Sequence, residues 1–244
     1  MQLHRLPVVE ADFEHPATRP LSEQISDAIV AMIAGGTLVA GQRLVETELA
    51  ERFRTSRVPI REAVKMLEAQ GILATTPYRG THVMEFGERE QAQVIAARIA
   101  IEKLIILQAA SAVRADPGAL RPLDTVLGRM ADFVLIGDRI ALNRADVEFH
   151  RQMCRLTGNA ILTTLWSAIA HHVLIGFGLS NDRYPDSAAV LAQHRRLREA
   201  LVAAPLECLG QVIEAHVLGR DIPAREATVS SRRRTAGNTK GRKA

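Results

Sequence analysis

Residues 46–85 read ETELAERFRTSRVPIREAVKMLEAQGILATTPYRGTHVME, and this stretch decides the fold of the N-terminal part of the chain. Its apolar residues recur at helical spacing, first in a short helix and then in a longer helix that stops at Gly71. Apolar and polar residues then alternate around a turn at 77–80, which predicts a hairpin. Upstream, LSEQISDAIVAMIAGG at 21–36 predicts another helix with Ser22 as its N-cap. Three helices followed by a two-stranded wing predict a winged helix-turn-helix.

The longer helix begins with SRVPIREA at 56–63 and has the features of a DNA-recognition helix. Ser56 is the predicted N-cap, and Pro59 falls in the first turn. Arg57 and Arg61 are four residues apart and share one face, and Lys65 continues that face. An apolar stripe on the opposite face is predicted to be buried: Ile60, Val64 and Leu67. A helix with one packed face and arginines near its N-terminus suits entry into the major groove.

Further arginines flank this helix. Arg52 and Arg54 lie beside the turn that precedes it and are candidates to hold the DNA backbone. Arg79 and Gly80 stand at the wing tip, where a glycine lets the backbone approach DNA closely and an arginine can enter a minor groove. The alternative is an ordinary solvated helix face, since arginines four residues apart are common. The preceding short helix and the wing favour DNA binding.

These residues resemble the DNA-binding domain of GntR-type regulators, and the resemblance covers about a quarter of the chain. It is carried by Leu44, Glu48-Leu49-Ala50, Ser56-Arg57, Pro59, Arg61-Glu62-Ala63, Leu67, Gly71 and Arg79-Gly80. The resemblance implies that Arg57 and Arg61 contact DNA and that Gly80 lies in the wing. Some relatives carry a DNA-contacting arginine where this chain has Thr47, so the operator sequence does not transfer. The full predicted DNA-binding set is Thr47, Arg52, Ser56, Arg57, Pro59, Arg61, Lys65, Arg79 and Gly80.

The rest of the chain predicts a mainly α protein with a second, all-helical domain. Breaks at Gly, Pro and Asn separate six amphipathic helices, and short connections imply an antiparallel bundle. Their predicted ranges are 88–114, 117–137, 139–156, 159–178, 185–203 and 206–219. The expected organisation is a flexible segment at 1–18, the winged domain at 19–85, the bundle at 86–222 and a disordered basic tail at 223–244.

Charge and cysteine content bound the class of protein. Eight of the lysines and arginines lie in 220–244 with only two acids, so the remainder of the chain is close to neutral and DNA contacts in the folded part must be local. The tail either adds nonspecific attraction to DNA or is simply solvated, and the second interpretation is slightly favoured. Two cysteines without a CxxC pair, no apolar run of about 18 residues and no signal sequence predict a cytoplasmic protein without a membrane partner.

One constellation in the bundle predicts a metal site. Asp146 and His150 are four residues apart on one helix, and His194 and His216 lie on later helices. One carboxylate and three imidazoles can bind a first-row divalent metal and leave positions open for a ligand. An Asp-x3-His pair alone is weak evidence, because a single helical histidine is more often structural.

The bundle also resembles the ligand-binding domain of the FadR subgroup of GntR regulators, over about 90–220. The matching features are the Asp146-x3-His150 helix, Gly158-Asn159, His194 and His216. In that subgroup an Asp and three His often hold a metal, with a carboxylate metabolite completing the coordination. The resemblance implies a divalent metal, zinc first and nickel or another first-row metal next, with a small carboxylate effector. Arg98 and Asn159 are the predicted ligand-binding residues.

Several neighbouring residues have two interpretations. Arg98 either points inward to pair with a ligand carboxylate or forms a surface pair with Glu102. Cys154 either approaches the metal or is a small buried hydrophobe, the more favoured interpretation. His171 and His172 are adjacent and point in different directions, so at most one of them faces the ligand pocket of the bundle. His4, His15 and His82 receive no role.

Three functions compete. A ligand-responsive regulator, most simply a repressor of a catabolic operon, would bind a palindromic double-stranded DNA operator as a homodimer, since one recognition helix covers only a half-site. A metal-dependent hydrolase would need a general base beside the metal, and no candidate stands out. An architectural DNA binder would use the bundle only to dimerise. The sequence favours the regulator and a protein that is not an enzyme.

Overall fold

The computed structural model describes residues 19–179 and 186–220. Three sequence predictions lie outside these residues: the flexible segment at 1–18, which contains His4 and His15, the break at 181–185, and the basic tail at 223–244.

The N-terminal domain, here called the head, contains three helices and three short strands. They are α1 (Leu21–Ala34), β1 (Arg43–Leu44), α2 (Glu46–Arg52), α3 (Arg57–Ala69), β2 (Leu73–Thr76) and β3 (Gly80–Val83). The prediction of Ser22 as the cap of α1 is wrong, because Pro20 takes the N-cap position and its carbonyl accepts from the backbone N–H of Glu23 and Gln24. Proline has no N–H to lose at a helix start.

The sheet has three antiparallel strands in the order β1-β3-β2. The wing hairpin pairs Leu73 with Val83 and Thr76 with Gly80, as the alternation of the sequence predicts. The strand β1 was not predicted, because it is two residues long and its identity depends on pairing with β3 about forty residues later. Gly80 has a φ of 75°, which a glycine adopts without strain.

Six α-helices form the C-terminal bundle within the described residues, as predicted. They are α4 (Glu88–Ala115), α5 (Arg121–Ile136), α6 (Arg139–Leu156), α7 (Ala160–Leu179), α8 (Ser187–Ala203) and α9 (Leu206–Val217). The predicted helix at 117–137 instead starts with one turn of 3-10 helix, Pro117–Leu120. The carboxylate of Asp116 accepts from the N–H of Gly118 at 2.8 Å and caps that turn.

Two hydrophobic cores share one helix, α7. Trp166 and Val173 lie in the core of the bundle, whereas Ile175 is fully buried in the core of the head. Near its end, Gly178 packs so tightly on the backbone of Ala34 that any side chain there would collide with the carbonyl. By length and composition alone α7 could cross a membrane. Part of its apolar surface is buried in the two cores, and Ile161 and Leu165 near its start are exposed.

Candidate DNA interface and candidate metal centre

The recognition helix α3 presents its two predicted arginines to solvent. The side chains of Arg57 and Arg61 are 57% and 54% exposed. On the opposite face Ile60, Val64 and Leu67 are buried in the core of the head. Ser56 occupies the N-cap position with an extended backbone, but its hydroxyl makes no capping hydrogen bond. The helix is therefore held by its apolar face, and its cationic face is available to a ligand.

An acidic residue that sequence reasoning missed faces these arginines. Glu46, at the start of α2, places Oε2 3.3 Å from Nη2 of Arg57 and 3.5 Å from Nη2 of Arg61. The pairing crosses from one helix to another over 11 and 15 residues, so no local spacing rule reveals it. DNA phosphates would compete with this carboxylate for the same two cations.

Most other predicted DNA-binding residues lie on the surface of the head: Thr47, Lys65 and Arg79 are exposed, and Pro59 and Gly80 are half-buried. Arg52 is different, because it is 7% exposed and all three of its guanidinium nitrogens are buried. Burial lowers the pKa of Arg52 from its ordinary value. The predicted contact of Arg52 with the DNA backbone is thus not available from this position.

Sequence reasoning also missed a basic residue at the wing. The guanidinium of Arg43, an exposed residue of β1, lies against Gly80, with Nε 3.1 Å from the place where a Cβ would stand. Glycine at position 80 therefore has two roles: it allows the left-handed turn, and it leaves room for this guanidinium. The signal was present in the sequence only as an isolated arginine before the short helix.

The four predicted metal ligands converge inside the bundle. Asp146 and His150 come from α6, His194 from α8 and His216 from α9, and all four are buried. Ring nitrogens of the three histidines lie within 4.8 Å of one another. Nε2 of His150 is 3.0 Å from Nε2 of His216, and Oδ2 of Asp146 is 3.1 Å from Nε2 of His194.

A hydrogen bond at the back of the His194 ring fixes its orientation. Nδ1 of His194 lies 2.8 Å from the carbonyl of Val190, which can only accept, so Nδ1 carries the hydrogen. The opposite nitrogen of the ring, Nε2, then faces Oδ2 of Asp146 at 3.1 Å. Nε2 of His194 and Oδ1 of Asp146 have no hydrogen-bond partner. The contact between Nε2 of His194 and Oδ2 of Asp146 in a buried site needs a proton or a cation between the two atoms.

The donor set fits a divalent metal ion. Three imidazole nitrogens and one carboxylate are the ligand types that zinc and neighbouring first-row metals take. The α-helices of the bundle fix all four ligands, so the site is preformed and not assembled from loops. The convergence of unpartnered buried acceptors is the structural observation that supports a metal here.

A buried ion pair lies beside these ligands and was only half foreseen. Nε of Arg98 donates to Oε1 of Glu102 at 2.5 Å, so the predicted pair forms, but both side chains are buried and not on the surface. Nη2 of Arg98 reaches Nε2 of His150 at 2.9 Å and lies 3.7 Å from Oδ1 of Asp146. Arg98 thus satisfies both sequence interpretations at once, as a pair to Glu102 and as an inward-pointing cation.

Burial and charge set the protonation of the cluster. Burial raises the pKa of Asp146, but His194 and then Arg98 outweigh it and hold that pKa below its usual range. Burial lowers the pKa of His150, against the opposing charge of Glu102. Burial and the two other histidines place the pKa of His216 well below its usual value. His150 and His216 are therefore neutral at pH 7 and keep lone pairs for a metal.

Two predicted neighbours have other roles. Asn159 is a helix cap: its Oδ1 accepts from the backbone N–H of Ile161 at 3.0 Å at the start of α7. The Gly-Asn pair signalled a helix start, and the ligand-binding role given to Asn159 is not supported. Cys154 is fully buried, and desolvation, with the nearby charge of Glu102, raises the pKa of its thiol to about 12. It packs as a small hydrophobe in the core of the bundle.

A small cavity of about 50 Å³ lies next to Arg98. It is lined by Phe86, Gln91, Val94, Ile95, Arg98, His172, Val173, Gly176, Phe177 and Val217. Of the two adjacent histidines, His172 lines this cavity and His171 does not. This agrees with the expectation that at most one of them faces the ligand pocket. The guanidinium carbon of Arg98 stands 5.8 Å from the ring centroid of Trp166 and 5.7 Å from that of Phe177.

His171 faces the opposite way and joins the bundle to the head. Its Nε2 lies 2.8 Å from Oδ1 of Asp27 in α1, and its Nδ1 lies 2.8 Å from Oε1 of Gln70, the residue after α3. Burial raises the pKa of Asp27, but His171 and Arg19 outweigh it and lower that pKa. One turn of α7 therefore contacts the cavity with His172 and the end of the recognition helix with His171.

Comparison with known proteins gives the context of this arrangement. The family model described as the FCD domain matches residues 93–219, and the model described as bacterial regulatory proteins of the gntR family matches 21–83. The chain is 30% identical over 198 residues to the probable D-xylose utilization operon transcriptional repressor of Paenarthrobacter nicotinovorans, covering 81% of this chain and 85% of the relative. It is 22% identical over 174 residues to the gluconate operon transcriptional repressor of Bacillus subtilis, covering 69% and 70%.

Solved structures share the fold. E. coli McbR/YncC superposes with a TM-score of 0.69 at 20% identity and covers 82% of this chain and 94% of that one. A putative GntR regulator from Rhodococcus sp. RHA1 gives a TM-score of 0.62 at 21% identity, over 81% and 97%. The relatives are transcriptional regulators and not enzymes. The resemblance seen in the sequence is thus confirmed, and the chain belongs to the GntR family of bacterial transcriptional regulators, in the FadR-like subgroup that carries an FCD domain.

Proposed function

We propose that this protein is a cytoplasmic transcriptional repressor whose bundle binds a divalent metal ion and a small carboxylate that modulates operator binding. The observation that carries the proposal is the buried convergence of Asp146, His150, His194 and His216 beside Arg98. The domain limits that go with it are 19–85 for the DNA-binding head and 86–222 for the sensing bundle. Repression of a catabolic operon is favoured because two relatives are named as repressors of sugar or sugar-acid operons.

DNA recognition by the head depends on α3 and the wing. Arg57 and Arg61 are exposed at the N-terminal half of α3, where an arginine can make two hydrogen bonds to guanine or bind a phosphate. Arg79 and Arg43 flank the wing turn. One such helix reads one half-site, so a palindromic operator and two copies of the chain are expected, with half-sites about 34 Å apart or a multiple of that.

A surface on the bundle is suited to a second copy of the chain. Leu104 and Leu107 of α4 and Ile161 and Leu165 of α7 are exposed, and Ile161 is 70% accessible. The side chain of Asn159 at the start of α7 reaches Gln108 of α4, so the two helices lie side by side there. We call Leu104, Leu107, Ile161 and Leu165 the α4/α7 face. An uncharged apolar surface of this kind is typical of an interface.

Leu104→Glu and Ile161→Glu test the dimer by placing a charge in the α4/α7 face. Each should shift the protein toward monomer in analytical ultracentrifugation and weaken binding to a two-half-site operator. Leu135→Glu, on an even more exposed leucine of α5, is the control and should leave the mass unchanged. Dimers that persist in both α4/α7 variants would mean that another surface pairs the chains.

In the bundle, the three histidines and Asp146 would hold zinc first, or nickel or another first-row metal. The ion would supply positive charge and open coordination positions to an anionic effector. Arg98, held over Trp166 and Phe177, adds a second cation that can bind a carboxylate through two hydrogen bonds.

The cavity beside Arg98 provides a route by which effector binding in the bundle would change the conformation of the head. A volume of about 50 Å³ holds only a few water molecules, so a metabolite has to displace side chains to enter. His172 and Phe177 line the cavity and both belong to α7. The same helix inserts Ile175 into the core of the head and contacts Asp27 and Gln70 through His171. A shift of α7 would therefore change the placement of α1 and α3.

The proposal is tested by selecting binding sites from random double-stranded DNA and titrating the selected site with and without zinc and small carboxylates. Selection of a palindrome whose affinity changes with a carboxylate in zinc-loaded protein is expected. His171→Ala should keep DNA binding but weaken the effector response, because it removes the contact between α7 and Gln70. A selected operator that no metal or carboxylate affects would favour the architectural DNA binder instead.

A further inference from the structure

We infer that Glu102 is a positioning residue that orients a metal ligand, His150, and an effector-binding cation, Arg98, through the two oxygens of one carboxylate. The inference rests on the proposed function and deepens it, because it names how the metal site and the effector pocket are joined. The sequence pattern offers Glu102 only as a surface partner of Arg98, and the convergence of the four ligands assigns it no role.

Each carboxylate oxygen of Glu102 lies against a nitrogen atom of another side chain. Glu102 lies on α4 and is fully buried. Its Oε1 accepts from Nε of Arg98 at 2.5 Å, and its Oε2 lies 2.6 Å from Nδ1 of His150. A carboxylate buried in the interior is costly unless it lies against groups that compensate its charge, and here each oxygen contacts a nitrogen of a different functional unit.

This contact decides which nitrogen of His150 is available to a metal. Because the charged carboxylate can only accept, the hydrogen of a neutral His150 resides on Nδ1. Nε2 is then the nitrogen with the lone pair, and it is Nε2 that faces Nε2 of His216 at 3.0 Å. Outer partners of this kind fix the tautomer and the ring orientation of metal-binding histidines.

The other oxygen of Glu102 holds Arg98 at the border between the cluster and the cavity. Nη2 of Arg98 lies 2.9 Å from Nε2 of His150 when the guanidinium is in this position. A carboxylate effector that attracts the guanidinium would withdraw a cation from the metal ligands while Glu102 keeps its contact with His150. Metal and effector binding are then coupled through Glu102, and the coupling is reciprocal.

Glu102→Gln tests the inference, since glutamine has the same size but offers one acceptor oxygen and one donor group. Its NH2 can accept from neither Nε of Arg98 nor Nδ1 of His150, so one of these two nitrogens loses its acceptor. Zinc affinity, measured by competition with a chromophoric chelator, should fall about 10- to 100-fold. Glu214→Gln is the matched control, because it breaks the half-exposed pair with Lys103, also between α4 and another helix, and should leave zinc affinity unchanged.

A second readout needs no metal. Long-range proton–nitrogen NMR of the metal-free protein reports which imidazole nitrogen of His150 carries the hydrogen. Wild type and Glu214→Gln should show the Nδ1–H form, whereas Glu102→Gln should shift His150 toward Nε2–H. A purely structural role for Glu102 would change the melting temperature without changing the tautomer.

A second variant guards against loss of the fold. Glu102→Gln leaves a buried arginine with a weaker partner, so the double variant Arg98→Met/Glu102→Leu removes both charges and retains apolar volume. It should fold, and His150 should again shift toward the Nε2–H form, because Nδ1 of His150 has lost its acceptor. Unchanged zinc affinity and tautomer in the Glu102 variants would overturn the inference alone. Wild type that binds no zinc would overturn the proposed metal site as well.

Discussion

The two polar regions of this protein differ in how they are held. On the head, Arg57 and Arg61 are more than half exposed and contact only one carboxylate, that of Glu46, at 3.3 and 3.5 Å. In the bundle, Asp146, His150 and their neighbours are buried and touch one another at 2.5–3.8 Å. The first region is solvated and accessible to a large polyanion such as DNA. The second region is shielded from solvent, and its polar side chains already contact one another.

The difference shows which physical cost each function bears. Exposed arginines lose little when unpaired, because water solvates them, so a DNA-binding face can be presented in advance. Buried imidazoles and carboxylates are costly unless each lone pair meets a donor or a cation. The unpartnered acceptors on Asp146 and His194 are therefore informative about a ligand, whereas exposed arginines alone are not.

Replacing both arginines of the exposed region is expected to have the largest effect. Arg57→Ala/Arg61→Ala should weaken operator binding about 100-fold or more, because each base or phosphate contact by arginine contributes about 1–3 kcal/mol. Fluorescence anisotropy with the selected operator measures the loss. Arg155→Ala, an equally exposed arginine of the bundle, should bind DNA like wild type. Equal losses in both variants would show that the effect is one of net charge and not of the recognition face.

The helix that joins the two regions provides the next test. Gly178→Ala should destabilise the protein by about 1–3 kcal/mol, because a Cβ there collides with the backbone of Ala34. Gly128→Ala, in the interior of α5 with open space around the new methyl, should stabilise by about 0.5–1 kcal/mol. Urea denaturation monitored by circular dichroism measures both. Similar values for the two variants would argue against tight docking of α7 on α1.

Removing the carboxylate that faces the arginines should have a smaller and opposite effect. Glu46→Gln should tighten DNA binding by up to about 5-fold, since exposed ion pairs contribute roughly 0.2–1 kcal/mol and the phosphates no longer compete with Glu46. The gain should appear with random DNA as well as with the operator, and should shrink at high salt. Weaker binding to the operator alone would instead identify Glu46 as a contact to a base.

The reactivity of the two cysteines tests how well the interior of the bundle is shielded from solvent, independently of DNA or metal affinity. Burial and the charge of Glu102 raise the pKa of Cys154 to about 12, so its thiol stays protonated and inert, whereas Cys208 is partly accessible. Iodoacetamide at pH 8 should label one thiol per folded chain, at Cys208, and both after denaturation. Labelling of Cys154 in the folded protein would mean that the interior of the bundle opens.

Sequence reasoning succeeded where local patterns dictate structure. The spacing of Ile60, Val64 and Leu67 fixes the buried face of α3, and with it the exposure of Arg57 and Arg61. The six helices of the bundle follow from periodicity and from breaks at Gly, Pro and Asn. Helical spacing connects Asp146 with His150 on α6, and resemblance to a family gave weight to joining them with His194 of α8 and His216 of α9.

What it missed depends on contacts between distant elements. β1 exists only through its pairing with β3, and Glu46 faces arginines that follow it by 11 and 15 residues. The burial of Arg52 is set by how α2 packs in the head, and an exposed arginine has the same appearance in sequence. Glu102 was visible as a helical neighbour of Arg98, yet its contact with His150 spans two helices. Asn159 was given a ligand-binding role because its function as a helix cap was not weighed.

Metal content tests the central claim most directly. Protein purified without a tag or chelator, then incubated with zinc and desalted, is analysed by elemental mass spectrometry beside His194→Ala/His216→Ala and the control His82→Ala from the wing. The buried cluster predicts about one metal ion per chain in wild type and in His82→Ala, and almost none in the double variant. Wild type that retains no zinc or nickel, or a double variant that retains as much as wild type, would contradict the account.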